Sequence, residues 1–248
     1  MPTCVYLHPL RTIVVGWEAD DDGVPTITSY ADHGPGEYAP QSGETIIVHS
    51  DNVLTHRFPD DEGSSERQSF EVQSFMPEVD TSAWHIRQIR CSGLVYDHQW
   101  STVLAYVDGD VSDIECDMKA ISLDGDTLFL GRRGRWWWFG SVRRDGTVHH
   151  LDRFAHVSDG ELGNTIRECI DETISISGST VRRLIMFGDV VTPAQLKDLA
   201  IMTQGRFDLV DRSNPFRHVR AAISPEQQQG LLRRAHLLGT VVGVMFSS

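Results

Sequence analysis

The sequence predicts an α/β protein of two lobes, with mixed sheets and flanking helices. Three observations predict it. Strand and helix patterns alternate along the chain, helix starts carry capping boxes, and the chain closes on an amphipathic helix able to pack back on the first lobe. The 248 residues suffice for one large domain or two small ones. We expect lobes of residues 1–95 and 96–248.

The elements follow in order. CVYLHP (4–9), RTIVVGWE (11–18) and VPTITSY (24–30) read as strands, with DDDG (20–23) as a turn. A Gly/Pro-rich loop over 31–43 precedes two more strands, TIIVHS (45–50) and NVLTHRF (52–58). Ser65 with Gln68 forms a capping box, and Val72, Phe75 and Met76 share a face of the helix it opens, which Pro77 blocks. Residues 83–97 read as strand, 99–107 suit helix or strand, and 111–154 read as β. Within that β region Gly134 and Asp145-Gly146 mark hairpin turns, because their residues need positive φ. Three further capping boxes are Ser158/Glu161, Thr192/Gln195 and Ser224/Gln227. They open helices whose buried stripes are Leu162, Ile166, Cys169, Ile170 and Thr173 in the first, and Leu231, Ala235, Leu238, Val242 and Met245 in the last. No repeat with a period of 20–50 residues is visible.

Composition excludes some functions. No apolar run is long enough to span a membrane, and MPTCVYLHPLRT lacks the basic and apolar regions of a signal peptide. Cys4, Cys91, Cys116 and Cys169 are scattered, which suits reduced core residues in a cytoplasmic protein and not a zinc site. Residues 1–124 hold 22 acidic and 6 basic side chains (−16), so the remainder, with 13 and 16, is +3; the sum is the net −13. Such an acidic half disfavours nucleic acid and suits either solvated loops or a basic protein partner.

Few motifs carry chemistry. There is no GxxxxGK[ST], GxGxxG, GxSxG or HExxH. The DGD pairs Asp108/Asp110 and Asp124/Asp126 could hold Mg²⁺, but turn chemistry accounts for them better. His149 and His150 would point to opposite strand faces, which favours a structural role. In RRGRWWWFGSVRR (132–144), Trp136 and Trp138 should face one side, Trp137 and Phe139 the other. A core strand is the first reading, a protein-binding surface the second, and nucleic-acid stacking the last.

Three segments resemble the cytoplasmic actin-like proteins of type IV pilus and type II secretion machines, the PilM and GspL families. They are IIVHSDNVLTHRFP (46–59), SSERQSFEVQSFMPEVD (64–80) and RRLIMFGDVVTPAQLKDLAIMTQGRFDLVDRSNPFRHV (182–219), with LLRRAHLLGTVVGVMF placed like the closing helix. The resemblance implies an actin-like fold, with two lobes around a cleft where relatives hold ATP on three backbone loops. Here the first loop reads Leu7-His8-Pro9-Leu10, without glycine and with a proline that lacks an amide. The second is matched best by Asp124-Gly125-Asp126, and the third by Gly188-Asp189, where an acid replaces a glycine.

The resemblance therefore implies a vestigial cleft at Asp124, Gly125, Gly188 and Asp189, no cofactor and no catalysis. The expected role is a scaffold at the inner membrane, holding the cytoplasmic tail of a membrane protein or an assembly ATPase. The alternative is an ATPase or phosphotransferase using Mg-ATP, with the DGD aspartates on the metal.

Overall fold

The structure, a computed structural model, describes residues 1–59, 84–93, 98–107, 109–155, 159–177, 183–189, 208–210 and 217–247. The helices expected from Ser65 and Thr192, and Asp108 of the first DGD pair, lie outside them. The first strands are β1 (Thr3–His8), β2 (Arg11–Ala19), β3 (Pro25–His33), β4 (Thr45–Val48) and β5 (Val53–Pro59). Next come β6 (Trp84–Gly93), β7 (His98–Val107), β8 (Val111–Ser112) and helix α1 (Asp113–Ser122). Then follow β9 (Thr127–Arg133), β10 (Trp136–Val142), β11 (Val148–Ala155), α2 (Asp159–Ser177), β12 (Arg183–Gly188) and β13 (Asp208–Val210). The chain closes with β14 (Arg220–Ala221), α3 (Pro225–Arg233) and α4 (Ala235–Met245).

Two sheets share one plan. In the first, β1-β2-β3 is an antiparallel meander, and β4 then β8 add in parallel beyond β1. In the second, β9-β10-β11 is the meander, and β12 then β13 add in parallel beyond β9. The second sheet continues from β11 through β6 and β7 to β5. This duplicated plan leaves no sequence repeat, because it fixes strand order and not side chains.

Sheet membership does not follow a division at residue 95: β5 and β6 both belong to the second sheet. Residues 53–59 have the alternation of any strand, and alternation does not name a partner. The ambiguous 99–107 segment is strand β7, paired on both edges.

The expectation of continuous β over 111–154 fails at α1. Ser112 caps it, accepting from Glu115 N–H while the Glu115 carboxylate accepts from Ser112 N–H. The helix is buried on several faces. Cys116 and Ala120 join the core of the first sheet, and Ile114, Met118 and Ile121 that of the second. Apolar residues on opposing faces leave no single stripe, which is why periodicity missed it.

The closing segment packs on the first sheet and α1, through Leu231, Leu238, Val242 and Met245. It is two helices, broken at Arg234, whose φ of −109° and ψ of 14° leave the helical region. A Cβ on Gly243 would stand 1.9 Å from the Cys116 carbonyl oxygen, so α4 and α1 meet backbone to backbone. On the second sheet, Trp136 and Trp138 join one core and Trp137 and Phe139 the other, as alternation predicts. Helix α2 covers the latter face with Ile166, Cys169 and Ile170. The tryptophan strand is therefore core, and His149 and His150 are buried beside it.

The charge imbalance is partly internal. Arg220 pairs with Asp20 and Asp22, Arg234 with Asp32, and Arg183 with Asp124, so second-half arginines meet first-half acids. Two more acids, Asp113 and Asp117, are buried.

Candidate functional site

The two meanders bring their first hairpin turns together. The β1–β2 turn spans His8 to Arg11 and the β9–β10 turn Arg133 to Trp136. Between them stands Asp189. Strand β12 pairs in parallel with β9, Gly188 opposite Arg132, and Asp189 N–H donates to the Arg132 carbonyl at 2.7 Å. Gly188 has φ 98°, and a Cβ there would fall 1.9 Å from that carbonyl oxygen, so glycine alone turns the chain here.

Four donors surround the Asp189 carboxylate. Gly134 N–H donates to Oδ2 at 2.7 Å, and the Arg133 guanidinium to Oδ1 at 3.1 Å. His8 Nε2 lies 3.6 Å from Oδ1 and His49 Nε2 3.6 Å from Oδ2. The chain orients both rings. Nδ1 of His8 accepts from Leu10 N–H and Nδ1 of His49 from Asp51 N–H, each at 3.2 Å. With Nδ1 accepting, the proton resides on Nε2 and faces the carboxylate. The rings cross edge to face with centroids 5.0 Å apart.

Beneath this layer lies a buried charge network. Arg133 donates to both oxygens of Asp117, at 2.9 and 2.8 Å, and to Thr240 at 2.8 Å; Thr240 in turn donates to Asp117 at 2.9 Å. Asp113, one turn before Asp117 on α1, accepts from Tyr6 OH and Ser50 N–H at 3.1 Å each, and from the Ser50 hydroxyl. Asp51 reaches the second hairpin, accepting from Arg135 N–H at 3.3 Å. The site thus joins both sheets, α1 and α4.

The electrostatics follow from this crowding. Burial alone would raise the pKa of Asp189. The His49 and His8 rings facing it, with Arg133 and Gly134, reverse this and hold it far below the usual carboxylate range. Burial, with Asp113 nearby, pushes Asp117 up to about 6 despite Arg133 and Thr240. Burial opposes a charge on His49, yet Asp189, Asp113 and Asp51 together outweigh it and raise its pKa.

One ligand atom each from His8, His49 and Asp189 lies within 4.8 Å of the others, a spacing open to a divalent cation. The proton placement argues otherwise. Both Nε2 atoms carry hydrogen, and Arg133 and Gly134 hold the same carboxylate. That donor set suits an anion.

Gly188 and Asp189 therefore fall in the site, and Asp124 and Gly125 do not. The latter form the turn between α1 and β9, at the opposite end of β9, roughly 20 Å away for seven strand residues. There Asp124 takes His218 at 3.3 Å and Arg183 at 3.8 Å. Asp-Gly favours a tight turn wherever it occurs, which misdirected the assignment. Asp110 accepts from Ile46 N–H at 3.2 Å and Asp126 from Arg144 N–H at 3.0 Å, so both brace backbone. Sequence reasoning missed His49, Arg133, Asp113 and Asp117. The Ser112/Glu115 box was the available signal, since it places both aspartates on one helix face.

Solved structures share the fold. The "PilM-PilN type IV pilus biogenesis complex" superposes with TM-score 0.58 at 11% identity, over 99% of this chain and 98% of that one. A Bacteroides thetaiotaomicron protein of actin-like ATPase fold and unknown function gives 0.56 at 8%, over 94% and 95%. The fold is actin-like. It resembles PilM over nearly its whole length. The cytoplasmic domain of EpsL, an inner-membrane component of the Vibrio cholerae type II secretion system, gives 0.43 at 14% identity, too low to argue from. No protein-family model matches the chain, and no curated protein sequence matches it. The two hairpin turns and the end of β12 converge on the Asp189 carboxylate. No helix among the described residues is long and apolar enough to cross a membrane.

Proposed function

We propose that this chain is a non-catalytic actin-like scaffold of a type IV pilus or type II secretion-type envelope machine. It works at the cytoplasmic face of the inner membrane, holding a membrane partner's cytoplasmic tail or the assembly ATPase. The observation that carries the reading is Asp189. A carboxylate stands between the hairpin turns, held by Gly134, Arg133 and two histidines, where an actin-like nucleotide-binding protein would need amides free for a polyanion. A second negative group there would meet both Asp189 and the buried Asp117. The whole-length likeness to the PilM-PilN complex supports a protein partner.

The acidic first half contributes to recruitment only through carboxylates not already paired, such as Asp21 and Glu18, since Asp20, Asp32 and Asp124 meet arginines within the chain. Affinity then depends on strand addition or an apolar groove more than on charge.

The test is capture from a bacterial membrane extract at low and high salt, followed by mapping of the partner. Retention of a bitopic membrane protein through a short cytoplasmic segment supports the scaffold. ATP hydrolysis without any retained partner overturns it and promotes the ATPase or phosphotransferase reading.

A further inference from the structure

We propose that Arg153, with Trp136 and Arg135 beside it, is a docking site for a carboxylate carried by an acidic segment of a protein partner. The inference rests on the reading that this chain holds such a partner, and adds the chemistry of one contact.

Two arginines on one sheet face carry the argument. Arg133 stands opposite Trp136 and Arg153 opposite Trp138, and both indoles join one core, so the four side chains share a face. Arg133 holds Asp117 by two bonds and Asp189 by a third. Burial opposes its charge, yet Asp117 outweighs burial and raises its pKa. Arg153 is half-buried, and no carboxylate among the described residues forms an ion pair with it. Its guanidinium donates to the Val53 carbonyl at 3.1 Å. Asp152, its chain neighbour, accepts from the Arg153 backbone N–H at 2.8 Å, and Asp51 faces Arg135 at 3.8 Å. Burial, with Arg135 nearby, pushes the Arg153 pKa down to about 10.

The surroundings of Arg153 supply donors. Its guanidinium carbon stands 4.0 Å from the Trp136 ring centroid and 5.6 Å from that of Trp138, and Arg135 lies 5.0 Å from Trp136. The indole nitrogens of Trp136 and Trp138 are buried and make no hydrogen bond. An indole N–H only donates, and a guanidinium has five donors. The chemistry that completes this seam is an acceptor with negative charge.

Shape selects the class. A guanidinium over an indole face presents a fork of N–H groups that matches a planar carboxylate, and the indole takes the apolar stem that carries it. Arg135, 69% exposed, leads from solvent to Arg153. The seam is separate from the Asp189 cleft: β9 and β10 lie between β11 and β12, three strand spacings, roughly 14 Å.

The test titrates the full ¹⁵N-labelled chain with an end-blocked tetraglutamate peptide, following the indole N–H signals of Trp136 and Trp138, which Trp136→Phe assigns. Both signals should shift saturably. End-blocked tetralysine and inorganic phosphate, at matched ionic strength, should leave them in place. Arg153→Met should weaken peptide binding roughly 10- to 150-fold, the worth of a charge-assisted bond. Arg153→Lys, which keeps the charge and loses the fork, should fall between and supplies the measurement if Arg153→Met does not fold. No saturable shift in the wild type, equal peptide affinity in wild type and variants, or phosphate binding as tightly as the peptide overturns the inference. Capture from the membrane extract is then repeated with Arg153→Lys. Weaker retention of the partner than by the wild type supports the inference. Equal retention overturns it and leaves the scaffold reading standing, whereas no retained partner with either chain overturns both.

Discussion

Replacing Arg133 by methionine should be among the most damaging single changes in this protein. Arg133 is fully buried and supplies the bidentate partner of Asp117, a bond to Thr240 and one of the four donors around Asp189. Methionine fills similar volume but leaves Asp117 buried with Thr240 as its donor and Asp189 short of its cation. Removing one member of a buried pair costs about 3–5 kcal/mol, because the remaining charge is stranded. In a chain of this size each kcal/mol lowers Tm by about 2–4 °C, so the fall should be roughly 6–20 °C. Urea unfolding followed by circular dichroism measures it. Arg135→Met is the control: Arg135 is 69% exposed and 3.8 Å from Asp51, and its loss should cost at most about 1 kcal/mol. The pair Asp117→Leu with Arg133→Met should cost clearly less than the sum of the single changes, since no charge is stranded. A loss under about 1 kcal/mol for Arg133→Met, or strict additivity in the pair, would refute the reasoning.

The other expectations are these. The pKa of His49 is raised above its ordinary 6.5, so its contribution is fully present below pH 6.5 and fades as pH rises through the folded value. Urea midpoints at pH 6 and 8.5 should show that loss in the wild type, and a smaller one in His49→Gln; an equal loss in both would contradict the assignment. Gly188→Ala forces a side chain to φ 98° and against the Arg132 carbonyl, costing on the order of 1–3 kcal/mol or more. Gly36→Ala, at φ 74° with nothing within 4 Å, should cost less in the same unfolding assay. Gly243→Ala should separate α4 from α1 and cost about 1–3 kcal/mol, read as a lower Tm by calorimetry.

The sequence made local features legible wherever one residue type answers one backbone need. Gly134 and Gly146 turn their hairpins at φ 55° and 85°, and Ser224 with Gln227 caps α3. The alternation of Trp136 through Phe139 assigns each ring to its core. Helix α1 was hidden because burial between two cores spreads its apolar residues around it. The site was hidden for a related reason. His8, His49, Arg133 and Asp189 come from four separate strand ends, and only pairing of β1 with β4 and of β9 with β12 makes them neighbours. Asp-x-Gly matching pointed instead to Asp124, where the chain needed only a turn.

The central claim is that Asp189 closes an actin-like cleft to nucleotide. Isothermal titration of the wild-type chain with Mg-ATP tests it most directly. The account predicts no saturable heat, with any affinity weaker than about 1 mM, above −4.1 kcal/mol. A micromolar Kd with one ATP per chain would contradict it.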